Sequence, residues 1–181
     1  EMLVYVPSEE NNNQIICQKL DRSDRSVTLA LSKSDSLTSV PLLFSITSGS
    51  ARLLASSSIE KGKFSHICAT YDRGSTNNLN LFLSQTLVAT SSTSFQFGSL
   101  SFSNFIIGSG SKFYATPRGT QQLSDSTAQR FTPHVTFSGS IDEFRLFHST
   151  RTTSDQKKYQ SRIIYSSDNL KLYFRFNEPS G

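Results

Sequence analysis

Short runs of β-branched and aromatic residues, each bounded by Ser, Asn, Asp or Gly, recur at spacings of about 8 to 15 residues along most of the chain. Helical periodicity is almost missing. A chain of this kind satisfies its main-chain hydrogen bonds between strands, and 181 residues fit one core but not comfortably two. The predicted strands are Met2 to Val6, Gln14 to Lys19, Ser26 to Leu31, Leu42 to Thr47, Ala51 to Ser56, Lys63 to Tyr71, Asn78 to Leu83, Thr86 to Thr90, Phe102 to Ile107, Ser138 to His148 and Asn169 to Phe176. Many alternate as half-buried strands do. Leu79, Leu81 and Leu83 share one face, and Phe64, Ile67 and Ala69 are assigned to another. The expected fold class is all-β, a sandwich of two antiparallel sheets.

Three connections read as hairpins: Ser48-Gly49-Ser50, Ser84-Gln85 and the longer polar loop Asp72 to Asn77. They chain the strands from Leu42 to Thr90 into a meander. One short helix is expected near the C-terminus, because Thr153-Ser154-Asp155 supplies an N-cap and an acidic first turn and Gln156 to Ile164 follows without Pro or Gly. Between Ile107-Gly108 and Phe137-Ser138-Gly139 no clear strand is evident. A connection of that length on a rigid sandwich is where contacts with other molecules usually reside.

Composition removes several function classes. Ser and Thr make up roughly a quarter of the chain, well above ordinary usage. With 11% aromatic residues, 14 Phe among them, and only 18% charged residues, the chain has enough to bury and is not disordered. No apolar run is long enough to span a membrane, and no charged start precedes an apolar signal segment. The net charge of +4 comes from Lys and Arg scattered singly or in pairs such as Lys157-Lys158, so no basic stripe points to nucleic acid. Cys17 and Cys68 lack metal-ligand or CxxC spacing. They read either as one long-range disulfide or as two buried thiols.

The order of the signals then becomes specific. Lys63-Phe64-Ser65-His66-Ile67-Cys68-Ala69-Thr70-Tyr71-Asp72, the pair Asn80 to Leu83 and Thr86 to Val88, Phe105-Ile106-Ile107-Gly108, and Phe137-Ser138-Gly139-Ser140-Ile141-Asp142-Glu143-Phe144-Arg145-Leu146-Phe147 together resemble the laminin-G-like, or concanavalin A-like, jelly-roll family. The resemblance runs from about Ile15 to Tyr159 and implies a jelly-roll sandwich. The chain departs from the family pattern at Phe64, where Trp is usual, and at Ser84-Gln85, where an Asn-Gly turn is usual. The latter change implies a different turn type or a longer loop, since a type I′ turn needs positive φ at both central positions. The segment 109–136 reads as an insertion.

The last segment, Asn169 to Gly181, resembles the strand and "F-N-E-x-S-G" turn with which such domains normally begin. Domain 1–168 is therefore expected to be followed by a terminal strand, 169–181, belonging to a next repeat or filling the sandwich in permuted or donated fashion. Leu170, Leu172, Phe174 and Phe176 fall on one face, which is expected to be buried. The apolar opening at Leu3-Val4-Tyr5-Val6 and the closing turn Pro179-Ser180-Gly181 agree with a piece of a longer, repeat-containing protein.

Few residues carry chemistry. The related glucanases place acidic groups at period two on one strand. Here Asp142 and Glu143 are adjacent and point to opposite faces, so they cannot act on one bond. His66, His134 and His148 form no triad spacing, and no enzyme is expected. The resemblance implies a calcium near Asp142, with Asn177 or Glu178 as oxygen partners; the alternative has Asp142 accepting main-chain N–H bonds or pairing with Arg145. The inserted segment offers Phe113, Tyr114, Arg118, Gln121, Gln122, Arg130, Phe131 and His134, able to stack on a sugar or a partner protein or else simply to pack on the sandwich. The expected function is an extracellular, cell-surface or virion-surface adhesion or structural module. Its partners would be other protein modules, neighbouring repeats or glycans, without nucleic acid or membrane insertion. The alternative is a calcium-assisted lectin-like module.

Overall fold

The computed structural model of the protein describes residues 1–21, 25–48, 51–98, 100, 104–111, 113–115, 121–123, 129–131, 133, 136–159, 162–164 and 169–176. In chain order the elements are β1 (Met2–Tyr5), β2 (Gln14–Leu20), β3 (Ser26–Leu31), β4 (Ser39–Ser48), β5 (Ala51–Glu60), β6 (Phe64–Arg73), β7 (Asn77–Leu83), β8 (Thr86–Thr93), β9 (Phe105–Ile107), β10 (Phe113–Ala115), β11 (Gln121–Leu123), β12 (Gln129–Phe131), β13 (Ser140–Asp142), β14 (Phe144–Phe147), α1 (Thr153–Tyr159) and β15 (Leu170–Phe174). One sheet has the order β13-β1-β6-β7-β8 and the other β11-β5-β4-β3-β2-β9, with β10-β12 and β14-β15 as separate pairs. The expected two-sheet antiparallel sandwich is what forms.

The expected single meander divides. Strands β2 to β5 are successive neighbours in one sheet and β6 to β8 in the other, with the crossing at Lys61 to Lys63. There Gly62 adopts φ +77° and donates its N–H to Val6 O at 2.8 Å, a conformation that glycine supplies without a Cβ penalty. The hairpin at Ser84-Gln85 also differs from expectation. Both residues hold positive φ, 46° and 65°, and Leu83 pairs with Thr86, so the type I′ geometry persists without Asn-Gly. The strand twist on either side selects that turn. Two non-glycine residues tolerate the left-handed region because the ladder fixes them there.

Between the sheets lie Val4, Ile16, Leu29, Leu31, Leu42, Phe44, Leu53, Ile67, Leu79, Leu81 and Phe144, with Phe105, Ile107 and Ile141 packed against them. Phe64 is not among them. It is 54% exposed and rests on Tyr5 with ring centroids 5.5 Å apart. Phe64 and Ile67 are three residues apart on a regular strand and must face opposite ways.

The expected strand Ser138 to His148 breaks at Glu143, whose φ is 50°. The extra residue acts as a β-bulge, which is why Ile141 and Phe144, three apart, both turn inward. β13 pairs with β1 and β14 with β15. Glu1 and Arg145 nevertheless exchange two main-chain bonds, of 2.8 Å and 2.9 Å, so β1 stays alongside both. β15 thus pairs within its own sandwich, but its expected buried face is open: Leu172, Phe174 and Phe176 are 37%, 44% and 46% exposed.

Helix α1 is shorter than expected. It is capped by Thr152, whose Oγ1 accepts the Asp155 N–H while Asp155 Oδ2 accepts the Thr152 N–H, a reciprocal cap. Among the described residues no helix is long and apolar enough to cross a membrane. Cys17 and Cys68 are free and buried. Burial pushes their thiols up to about 12 and about 11, which leaves them chemically quiet.

Candidate functional site

Among its described residues the inserted segment forms three short strands where none was expected. β11 pairs with the edge of β5, Gln122 opposite Leu53 and Gln121 opposite Leu54, and β10 lies against β4. Ser111 N donates to Gln18 Oε1 at 3.0 Å. The outward residues Ile15, Leu43 and Leu54 are buried although they stand outside the core between the sheets. The described parts of the segment therefore lie against the outer face and edge of this sheet. β10 and β12 pair so that Phe113 stands opposite Phe131 and Tyr114 opposite Arg130. Four of the predicted contact residues are thus brought together in one ladder, and Gln122 is carried away to the edge of β5. Arg118 and His134 lie outside the described residues.

At the bulge the structure assembles a polar cluster that sequence reasoning did not find. Arg145 is buried. Its Nη1 donates to Tyr159 O at 2.8 Å, and its Nη2 donates to Glu143 Oε2 at 2.6 Å and to Arg162 O at 2.9 Å. Tyr173 on β15 donates its hydroxyl to the same Glu143 oxygen, and Arg175 Nε lies 3.7 Å from Glu143 Oε1. Burial, together with the Glu143 carboxylate, holds the Tyr173 phenol above its ordinary value of 10.0. One carboxylate thus binds two cations and a phenol, tying β14, β15 and the segment after α1 together. Only the placement of Arg145 two residues from Glu143 hinted at it.

Asp142 spends Oδ1 on the Glu143 N–H at 2.7 Å, one of the roles weighed for it. Arg145 and Arg175 stand beside the neighbouring Glu143 carboxylate. No group of three His, Cys, Asp or Glu suited to a metal occurs among the described residues. Asn177 and Glu178 lie outside them.

A second feature lies at the other end of β14. The β1 ladder on β6 runs from the Tyr5–Phe64 pair to Met2–Ile67. A cavity of about 220 Å³ opens there between Ile67 to Tyr71 of β6 and Phe144 to Arg151, floored by Cys17, Val27, Leu29 and Phe44 of the facing sheet.

A laminin-G-type family model, described as the concanavalin A-like lectin/glucanases superfamily, matches residues 1–155. The chain belongs to this superfamily, and its sandwich is the fold of that class. Laminin-G-like domains of this kind are generally binding modules. No curated protein and no solved structure matches the chain.

Proposed function

We propose that this domain is a non-catalytic adhesion or structural module of the cell exterior or virion surface, one repeat of a larger protein. It contacts protein modules or glycans through the inserted segment and its strand edges. The observation that carries the reading is the state of Glu143. A glycoside hydrolase needs one carboxyl group free to protonate and a second at a fixed distance across the bond. Here the only carboxylate neighbouring Asp142 on the strand is held by Arg145, Arg175 and Tyr173, while Asp142 is turned to the Glu143 N–H. Membership of the superfamily and the Ser- and Thr-rich composition support the rest of the assignment. The Tyr114–Arg130 and Phe113–Phe131 pairs bring stacking and hydrogen-bonding residue types into one ladder, the combination that ligand surfaces use.

A glycan array probed with and without calcium, alongside capture of protein partners, tests this reading. The expected result is binding that survives chelation of calcium and is lost in the double variant Tyr114→Ala/Arg130→Ala, with no bound glycan cleaved. Calcium-dependent glycan binding would favour the lectin alternative. Cleavage that disappears in Glu143→Gln would overturn the non-catalytic assignment.

A further inference from the structure

We propose that the outer edge of β8 is an interface with a second copy of this chain, the two β8 strands pairing antiparallel about a two-fold axis at Ser91. This rests on the reading of the strand edges as contact surfaces, and names one edge and its partner. Strand β8 closes the sheet β13-β1-β6-β7-β8. Soluble proteins guard such an edge with charge, proline or an irregularity, because its free main-chain groups are a template for another strand. Here the guard is thin. From Gly74 to Ser111 the chain has no Asp, Glu, Lys, Arg, His or Pro, and the register shift in β8 lies near its start, opposite Leu81 and Phe82. Ala89 to Thr93 then pairs regularly with β7.

The ladders identify the free groups. Ser84 donates its N–H to His66 O of β6 at 2.9 Å, so by the alternation along β7 Phe82 and Asn80 also bond to β6, while Leu81, Leu79 and Asn77 bond to β8. The partners of those three are Ala89, Ser91 and Thr93. Thr90 and Ser92 therefore turn N–H and C=O outward along the edge, and both residues are exposed. An axis at Ser91 sets Thr90 opposite the partner's Ser92 and Ser92 opposite the partner's Thr90, each pair exchanging both main-chain bonds. Antiparallel pairing also lays the start of one strand beside the end of the other. It carries Leu87 and Val88, 51% and 39% exposed, toward the partner's Phe95, itself 43% exposed. The contact is thus apolar at both ends and hydroxyl-bearing in the middle, and no like charges meet along it although each copy carries +4. An unrelated strand would have to bring that arrangement, whereas a second copy supplies it twice by symmetry.

Sedimentation equilibrium of the 181-residue chain from micromolar to millimolar concentration tests this. The expected result is a monomer–dimer equilibrium, with the amides of Thr90 and Ser92 exchanging more slowly as the dimer forms. Thr90→Pro removes an edge donor that β7 does not use and should weaken the dimer at least tenfold. Thr90→Lys, at an exposed position, places two like charges near the axis and should do the same. The double variant Thr90→Lys/Ser92→Glu sets opposite charges across each pair and should restore the dimer. If Thr90→Pro fails to fold, Thr90→Lys and the double variant still decide. A dimer untouched by Thr90→Lys, or a double variant no tighter than Thr90→Lys alone, would overturn the proposal. A chain that stays monomeric throughout the range yet binds glycans or protein modules would overturn the dimer alone and leave the contact-module reading standing.

Discussion

Between β2 and β8 successive strands lie beside one another within each sheet, whereas β1, β13, β14 and β15 come together from the two ends of the chain. Both regions are built from alternating apolar and polar residues. They differ in what fixes their register. In the hairpins a short connection does it, as at Ser84-Gln85, where a two-residue turn forces Leu83 opposite Thr86. At the seam no local turn is available, and register depends on the Glu143 bulge and on Arg145 gathering Tyr159, Arg162 and Glu143. The teaching is that one polar residue at a seam can do the work that turns do elsewhere. It leaves a trace as well: β15 keeps an exposed apolar face.

The comparison is broken most severely from inside the seam. Phe144 is fully buried and joins Phe105 and Phe174 in a row of rings, with centroids 5.6 Å and 6.4 Å apart. Phe144→Ala should cost about 3 to 5 kcal/mol, and the half-exposed Phe64→Ala less than about 1 kcal/mol. Urea denaturation of the two variants measures both. Equal losses would mean that Phe64 is a core residue after all.

Arg145→Met should cost about 3 kcal/mol, because it strands a carboxylate and two main-chain acceptors that the guanidinium now satisfies. Amide hydrogen exchange should speed up in 153–164 and 170–174 but not in the β6–β7 hairpin. Uniform acceleration would deny the seam its separate character.

A gentler probe is pH. His66 is buried, and both ring nitrogens lack a hydrogen-bond partner among the described residues. Desolvation, the largest cause, keeps its pKa below the ordinary 6.5. The unfolded chain therefore binds a proton before the folded one does. The contribution of the neutral imidazole is fully present above 6.5 and is lost as pH falls from there toward the lower folded value, with a slope of at most about 1.4 kcal/mol per pH unit. His66→Gln should flatten the stability profile over that window in titrations followed by thermal unfolding. A profile identical to that of the unsubstituted chain would remove His66 from the account.

The smallest effect belongs to the hairpin. Replacing Ser84-Gln85 with Asn-Gly relieves two non-glycine residues of positive φ and should stabilise the protein by about 1 kcal/mol. A loss of stability would show that the turn is not type I′ in solution.

Much of the fold was legible along the chain because strand patterning is local. The Ser26 to Leu31 strand has the expected bounds, and Leu79 and Leu81 lie on the inner face as their spacing requires. β5 runs on past Ser56 to Glu60 through Ser57 and Ser58, a stretch whose polarity hid it. The inserted segment gave no strand signal, since β11 is a strand only by virtue of the β5 edge it joins. The candidate site was less legible still. Phe113, Tyr114, Arg130 and Phe131 were singled out by residue type, but nothing in their order announced which would face which across β10 and β12.

The sequence by itself determined the all-β class, the sites of the turns and the absence of helical patterning, because a period of two and the backbone preferences of turn residues act over a few positions. Only the tertiary structure decided that Glu143 is a bulge and that Arg145 is buried with its partners. Each of these depends on which strands lie side by side after a separation of many tens of residues. A long-range pairing is chosen by the summed burial and hydrogen bonding of the whole sandwich, and no single segment carries that sum in its own residues.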